Sequence, residues 1–245
     1  MQLTGKLENS KTKPAPKIEC YMPENGNGKA IIILPGGGYS GLAEHEGKGY
    51  AEYFVKKGYA CFVVEYRLGS AGFRHPAMLE DALAAIYEVR SRAKELNINA
   101  NKIGIMGSSA GGHLAAHTSN AYDQYESAIS LRPDFTILCY PVINIPGNSG
   151  HAGSYQNLLG EEATIDEHKA VAPALLVNEN TPECFLWHTV EDQGVPVRNS
   201  FDYATALNNN NILFDLHIYE TGNHGLGLNT EHPWSENCLK WLERR

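Results

Sequence analysis

Six short apolar runs alternate with helix-forming segments along most of the chain, and this alternation limits the fold more than any other feature. The runs are rich in β-branched and aromatic residues, and Gly or Pro ends several of the segments. Strands that alternate with helices predict an α/β fold with a mainly parallel sheet and helices on both faces. The predicted strands are Ala30–Leu34, Tyr59–Tyr66, Lys102–Met106, Asp134–Tyr140, Glu183–Val190 and Leu213–Tyr219.

The length of 245 residues suits one α/β domain spanning residues 1–245. A breaker-rich segment, Lys11–Pro16, is expected to separate a short first strand from the next. Residues 142–173 form the one long irregular segment, and we interpret it as a candidate lid or substrate-side wall. The predicted helices are Gly49–Lys57, Ala77–Leu96, Ala110–His117 and Glu231–Arg245.

The charge balance and hydropathy exclude several classes of partner. A net charge of −8 and the absence of a basic run argue against binding to nucleic acid or anionic membrane. No apolar stretch approaches the roughly 18 residues of a spanning helix, and the N-terminus has no apolar signal-peptide region, so we expect a cytoplasmic protein. A homo-oligomer is compatible with the sequence. The five cysteines are scattered without CxxC pairing, which favours small buried side chains over a redox or metal role.

The pentapeptide Gly107–Gly111 (GSSAG) matches the pattern G-x-S-x-G and lies between a predicted strand and a small-residue helix. A nucleophile elbow needs this arrangement, because its serine sits on a strained turn with no room for bulky neighbours. The helix N-terminus also favours developing negative charge. Ser109 is therefore the predicted nucleophile. Ser108 is the competing hydroxyl, but it lies off the centre of the pattern.

The glycine loop after the first long strand, residues 35–39 (PGGGY), resembles the HGGG-type oxyanion loop of lipases and esterases. Proline stands here in place of the histidine, but backbone N–H groups do the binding, so the function should survive. We predict that the amides of Gly37, Gly38 and Ala110 form an oxyanion hole. Tyr39 adjoins this loop and is expected to line the acyl pocket.

Two later predicted strands are each followed at once by a polar loop. The first loop carries Asp192 and the second carries His224, which gives the chain order serine, acid, histidine. We predict that His224 is the general base and that Asp192 orients it. Glu191 is the nearest alternative to Asp192.

Three other polar groups favour structural roles. His113 and His117 are spaced i, i+4 on the predicted post-nucleophile helix, but the glutamate of an HExxH site is missing, so we predict structural histidines and no metal. Glu44–Glu46 (EHE) could reach the cleft, yet a solvated charged loop fits better. Arg67 is expected to form a structural ion pair.

The glycine loop PGGGY, the pentapeptide GSSAG and the later segments EDQGVPV and NHGLGL together resemble small α/β-hydrolase esterases. The resemblance is to acetyl-xylan esterase and feruloyl-esterase-like proteins. The resemblance runs from about Ala30 to the C-terminus. It implies a cofactor-independent serine carboxylesterase that removes short acyl groups, such as acetyl, from small-molecule or oligosaccharide esters. Gly194 departs from the related pattern, which has a bulkier residue there. The short stretch before Ala30 implies that a helical cap domain is absent.

Two alternatives to the esterase remain. One is a peptidase or amidase of the same fold, and the other is a non-catalytic binding module that kept the fold.

Overall fold

The computed structural model describes residues 2–4, 13–147 and 149–245. Within these residues, eight strands form one sheet in the order β1-β2-β4-β3-β5-β6-β7-β8. β1 and β2 run antiparallel to their neighbours, and the pairs from β4 through β8 are parallel. The mainly parallel sheet expected from the alternating pattern is confirmed. The strands are β1 Gln2–Thr4, β2 Lys17–Tyr21, β3 Ala30–Leu34, β4 Ala60–Glu65, β5 Ile103–Ser108, β6 Thr136–Cys139, β7 Cys184–Thr189 and β8 Phe214–Tyr219.

Helices cover both faces of the sheet because alternate residues of its central strands are apolar on both sides. In β3, Ile31 and Ile33 pack in a cluster with residues of α1 and α8, whereas Ile32 and Leu34 pack with residues of α2, α3 and α7. Burying each such side chain contributes about 2 kcal/mol. The helices are α1 Glu44–Val55, α2 Ala77–Ser91, α3 Ser109–Ala121, α4 Ala152–Leu159, α5 Ile165–Ala170, α6 Pro173–Leu176, α7 Arg198–Asn209 and α8 Trp234–Leu242.

Parallel pairing brings the carboxyl ends of β3, β5, β7 and β8 to one edge of the sheet. The segments that follow these strands carry the glycine loop, Ser109, Asp192 and His224. In open α/β sheets, ligands bind outside this edge. The topology therefore gathers the predicted functional residues although they lie far apart in sequence.

Several of the predicted boundaries are wrong. Helix α1 begins at Glu44, so the expected solvated loop at 44–46 is instead its first turn, where acidic side chains favour the positive end of the helix dipole. Helix α2 ends at Ser91 rather than Leu96. The segment 142–173 is not irregular, because it contains α4 and α5.

The first strand expected before Lys11–Pro16 is present as β1, and β2 follows the segment, but residues 11 and 12 lie outside the described residues. Among the described residues, no helix combines the length and the apolar character needed to cross a membrane.

Candidate active site

Ser109 is the first residue of α3 and follows β5 without a break. Its φ of 53° lies in the left-handed region, where a non-glycine residue is strained. Tight packing around the turn holds it there. A Cβ on Gly107 would lie 2.1 Å from the Gly111 carbonyl oxygen, and a Cβ on Gly111 would lie 2.1 Å from the Leu34 carbonyl oxygen. The turn therefore requires glycine at both positions.

The structure brings the three predicted catalytic side chains into one hydrogen-bonded chain. His224 Nε2 lies 2.7 Å from Ser109 Oγ, and His224 Nδ1 lies 2.7 Å from Asp192 Oδ2. Because an ionised carboxylate only accepts hydrogen bonds, Nδ1 carries the proton and Nε2 is free to accept the serine proton. This is the arrangement that a general base needs before it can activate a serine hydroxyl.

The carboxylate of Asp192 is buried and fully occupied by donors. Its Oδ1 accepts the amides of Gly194 at 2.9 Å and Val195 at 2.8 Å, and Oδ2 also accepts from His188 Nε2 at 3.2 Å. Burial acts to raise the pKa of Asp192, but the hydrogen bonds from His188, His224 and Val195 outweigh it and hold that pKa well below its usual range. Asp192 therefore stays ionised and can stabilise an imidazolium at His224.

The two alternative residues take other positions. The Ser108 hydroxyl is buried 3.0 Å from the Tyr50 hydroxyl. Glu191 is exposed and accepts the Gly222 amide at 3.0 Å, which supports the loop that carries His224. In the described structure, neither side chain hydrogen-bonds to His224.

The glycine loop lies directly against Ser109, since a Cβ built on Gly36 would be 3.1 Å from the Ser109 Cβ. Gly37 and Gly38 have φ values of 133° and 63°, which favour glycine. Within the described residues, their amides donate to no acceptor. The Ala110 amide lies in the first turn of α3, where no intrahelical acceptor exists. Unused donors from both segments are thus available near Ser109.

The prediction that Tyr39 lines the acyl pocket is wrong. Its side chain is fully buried, and its hydroxyl lies 2.7 Å from His113 Nδ1. A φ of 57° turns the backbone at Tyr39, so the ring enters the core, where it packs edge-on against Tyr66. Burial lowers the pKa of His113 to about 3, consistent with a neutral structural histidine.

The other polar predictions concern packing. Arg67 Nη2 lies 2.7 Å from Asp81 Oδ1 and both side chains are buried, so the expected structural ion pair is confirmed. His117 is buried beside His113 on α3. Among the described residues, no group of three or more His, Cys, Asp and Glu side chains is placed to hold a metal ion.

His188, a buried partner of Asp192, was not predicted from the sequence. His188 Nε2 also donates to the Val195 carbonyl at 2.8 Å, and Nδ1 lies 2.7 Å from Ser200 Oγ. His188 therefore fixes both the Asp192 carboxylate and the turn that follows Asp192. The sequence feature that could have indicated this role is a histidine inside the apolar strand that directly precedes the Asp192 loop.

The segment 142–173 contacts the glycine loop through α4. Asn157 Nδ2 donates to the Gly38 carbonyl at 2.9 Å. At the start of α4, His151 Nδ1 accepts the Ser154 amide at 3.1 Å. Burial and, to a smaller extent, the charge of His224 lower the pKa of His151.

Comparison with known proteins identifies the family. The BD-FAE family model matches residues 18–207, which is most of the chain. The chain belongs to the BD-FAE family. A crystal structure of an acetyl ester-xyloside bifunctional hydrolase from Caldicellulosiruptor lactoaceticus superposes with a TM-score of 0.88 at 37% identity, covering 95% of this chain and 89% of that one. The expected α/β-hydrolase fold is confirmed.

Two curated relatives of this BD-FAE chain are longer than it is. An acetylxylan esterase from Xylanibacter ruminicola is 37% identical over 237 residues, covering 93% of this chain and 48% of the relative. An endo-1,4-beta-xylanase B from Butyrivibrio fibrisolvens is 39% identical over 204 residues, covering 80% of this chain and 32% of the relative. The chain therefore spans about half the length of the first and about a third of the second.

Proposed function

We propose that this BD-FAE chain is a serine carboxylesterase that removes short acyl groups, acetyl among them, from sugar or xylan-derived esters. The observation that carries the proposal is the hydrogen-bonded chain from Ser109 through His224 to Asp192, with unused amides beside it. The similarity to an acetylxylan esterase and to an acetyl ester-xyloside hydrolase supports the substrate class.

The proposed reaction is a two-step acyl transfer. His224 Nε2 takes the proton from Ser109 Oγ as that oxygen attacks the ester carbonyl carbon. The resulting oxyanion accepts hydrogen bonds from the amides of Gly37, Gly38 and Ala110, each worth about 3 kcal/mol in the transition state. When the tetrahedral intermediate collapses, His224 protonates the leaving alcohol oxygen and the acyl group stays on Ser109.

Deacylation repeats these steps with water as the nucleophile. His224 takes a proton from the water, the hydroxide attacks the acyl carbon, and Ser109 leaves with the proton from His224. Asp192 holds the Nδ1 proton throughout and stabilises the positive imidazolium. The reaction needs no cofactor.

We also propose that the segment 142–173 forms the substrate-side wall of the cleft. The hydrogen bond from Asn157 to the Gly38 carbonyl fixes α4 against the glycine loop. Side chains of this segment would then contact the alcohol or acyl part of the ester, and their shape would set specificity.

The test is acetate release from acetylated xylo-oligosaccharides, compared with hydrolysis of p-nitrophenyl acetate and of p-nitroacetanilide. We expect ester cleavage by the wild type and none by Ser109→Ala. Cleavage of p-nitrophenyl acetate alone would keep the esterase and reject the sugar ester. Faster cleavage of the anilide would favour an amidase, and activity that survives Ser109→Ala would reject the mechanism.

A further inference from the structure

We propose that Glu46 is a positioning residue that holds two parts of the active site in register. The first part is the oxyanion loop, residues 35–41, and the second is the histidine loop, residues 220–228. The proposal rests on the function proposed above. It assigns a role to a carboxylate outside the Ser109–His224–Asp192 chain.

The Glu46 carboxylate uses both oxygens on these structures. It is 3% exposed and lies in the first turn of α1. Oε2 accepts the amide of Gly36 at 2.8 Å, and Oε1 accepts the hydroxyl of Tyr140 at 2.7 Å. Gly36 immediately precedes the two predicted oxyanion glycines. Fixing its peptide group therefore limits how the next amides can turn.

Tyr140 carries the connection to the histidine loop. Its hydroxyl oxygen accepts the Gly227 amide at 2.8 Å, and its ring meets the His224 ring edge-on with centroids 5.2 Å apart. The φ of Tyr140 is 37°, a strained value that persists only where the surroundings hold the residue. Glu46 is part of those surroundings.

A second contact joins the same turn of α1 to the histidine loop. His45 Nε2 lies 2.9 Å from the Gly225 carbonyl oxygen. His45 therefore reaches the histidine loop directly and Glu46 reaches it through Tyr140, both on the C-terminal side of His224. The first turn of α1 therefore contacts both the oxyanion loop and the histidine loop, and its side chains lie away from the reacting atoms.

Burying a carboxylate is costly unless hydrogen bonds satisfy its oxygens, and each oxygen of Glu46 accepts one. Within the described residues, no Lys or Arg pairs with it, and its nearest basic atom is His45 Nε2 at 3.8 Å. Hydrogen bonds to an ionised acceptor are shorter and stronger than neutral ones. A carboxylate therefore holds Gly36 and Tyr140 more firmly than a neutral side chain would.

Glutamine has nearly the same shape but the wrong pattern of donors and acceptors. Its oxygen could still accept the Gly36 amide, but its NH₂ group would face the Tyr140 hydroxyl as a second donor. Glu46→Gln thus tests the carboxylate with little change in volume. Tyr140→Phe removes the other end of the same contact and the acceptor of the Gly227 amide.

The experiment measures kcat and KM for p-nitrophenyl acetate and amide hydrogen exchange in Glu46→Gln, Tyr140→Phe and the double variant. We expect kcat to fall about tenfold or more, since small misplacements of catalytic groups are costly, with KM nearly unchanged. Amide hydrogen exchange should become faster in the oxyanion loop and in the histidine loop. The double variant should be no slower than the slower single variant, because both changes break one connection.

Tyr125→Phe is the matched control, because Tyr125 donates to Glu80 Oε1 at 3.2 Å in another buried tyrosine–glutamate pair. It should lower stability and leave kcat unchanged. The proposal is overturned if Glu46→Gln keeps the wild-type kcat and loop exchange, or if it only lowers stability as the control does. A wild type that cleaves no ester would reject the proposed function, and exchange in the two loops would still decide the role of Glu46.

Discussion

At the scale of single residues, backbone packing sets the geometry of Ser109, the proposed nucleophile. Ser109 keeps a positive φ because the start of α3 packs closely against β5 at Gly107 and against β3 at Gly111, where a Cβ would not fit. Strain of this kind costs about 1–3 kcal/mol and survives only when surrounding contacts fix it. The contacts of both glycines do so here.

Gly111→Ala should therefore destabilise the protein by about 3 kcal/mol, because its Cβ would collide with the Leu34 carbonyl oxygen. Gly49→Ala is the control. Its Cβ would meet nothing closer than 4.0 Å inside α1, so we expect a gain of about 0.5–1 kcal/mol. Urea unfolding measures the free energy of unfolding of both variants and of the wild type. Equal stability of the two variants would contradict the packing argument.

The role of Asp192 gives a second prediction at this scale. Asp192→Asn should lower kcat by about 10⁴-fold, because an amide can favour the wrong tautomer of His224. Glu191→Gln should leave kcat unchanged, since Glu191 is exposed and the glutamine oxygen can still accept the Gly222 amide. Initial rates with p-nitrophenyl acetate distinguish the two. A large loss in Glu191→Gln alone would transfer the acid role to that residue.

Side-chain direction explains which single residues could be predicted from sequence. Ser109, Asp192 and His224 follow strands whose ends meet at one sheet edge, so their proximity follows from topology alone. Tyr39 was misplaced because adjacency in sequence does not fix the direction in which a residue with positive φ points. Glu46 gave no local signal, since its partner Tyr140 lies 94 residues away.

At the scale of elements, the helices with clear periodicity were predictable and the short ones were not. Helix α5 is six residues long, too short to show a repeating apolar face, although Thr164 and Glu167 form a capping box that the sequence displays. The N-cap of helix α4 is His151, whose ring caps the helix in place of the usual Ser, Thr, Asp or Asn. Sequence patterns therefore underestimated the order in residues 142–173.

Helix α3 gives a prediction about pH. His117 is buried against His75 and His113, and among the described residues its ring nitrogens have no hydrogen-bond partner. Burial lowers the pKa of His117 well below its ordinary value. The unfolded chain then binds a proton at about pH 6.5 that the folded chain does not, so the free energy of unfolding falls as pH drops below that value.

His117→Leu removes this titration and two buried polar atoms. We expect its free energy of unfolding to exceed that of the wild type by an amount that grows below about pH 6.5, by up to about 1.4 kcal/mol per pH unit. Urea unfolding at pH 5, 6 and 8 measures the difference. Parallel curves for the two proteins across this range would contradict a buried neutral His117.

At the scale of the whole molecule, the sheet brings four loops to one edge. Hydrogen bonds of Glu46 and Tyr140 connect two of them, the oxyanion loop and the histidine loop. The fold class and the order of the chemical groups follow from strand–helix alternation and from the motifs that end the strands. The buried polar connections depend on distant pairings, and a single sequence does not display them.

Covalent labelling decides whether Ser109 is an activated nucleophile. The protein would be treated with a fluorophosphonate and examined by intact mass and peptide mass spectrometry, beside Ser109→Ala and Ser108→Ala. We expect one adduct, located on Ser109, in the wild type and in Ser108→Ala, and none in Ser109→Ala. An unlabelled wild type, or an adduct that persists in Ser109→Ala, would show that Ser109 is not the activated nucleophile.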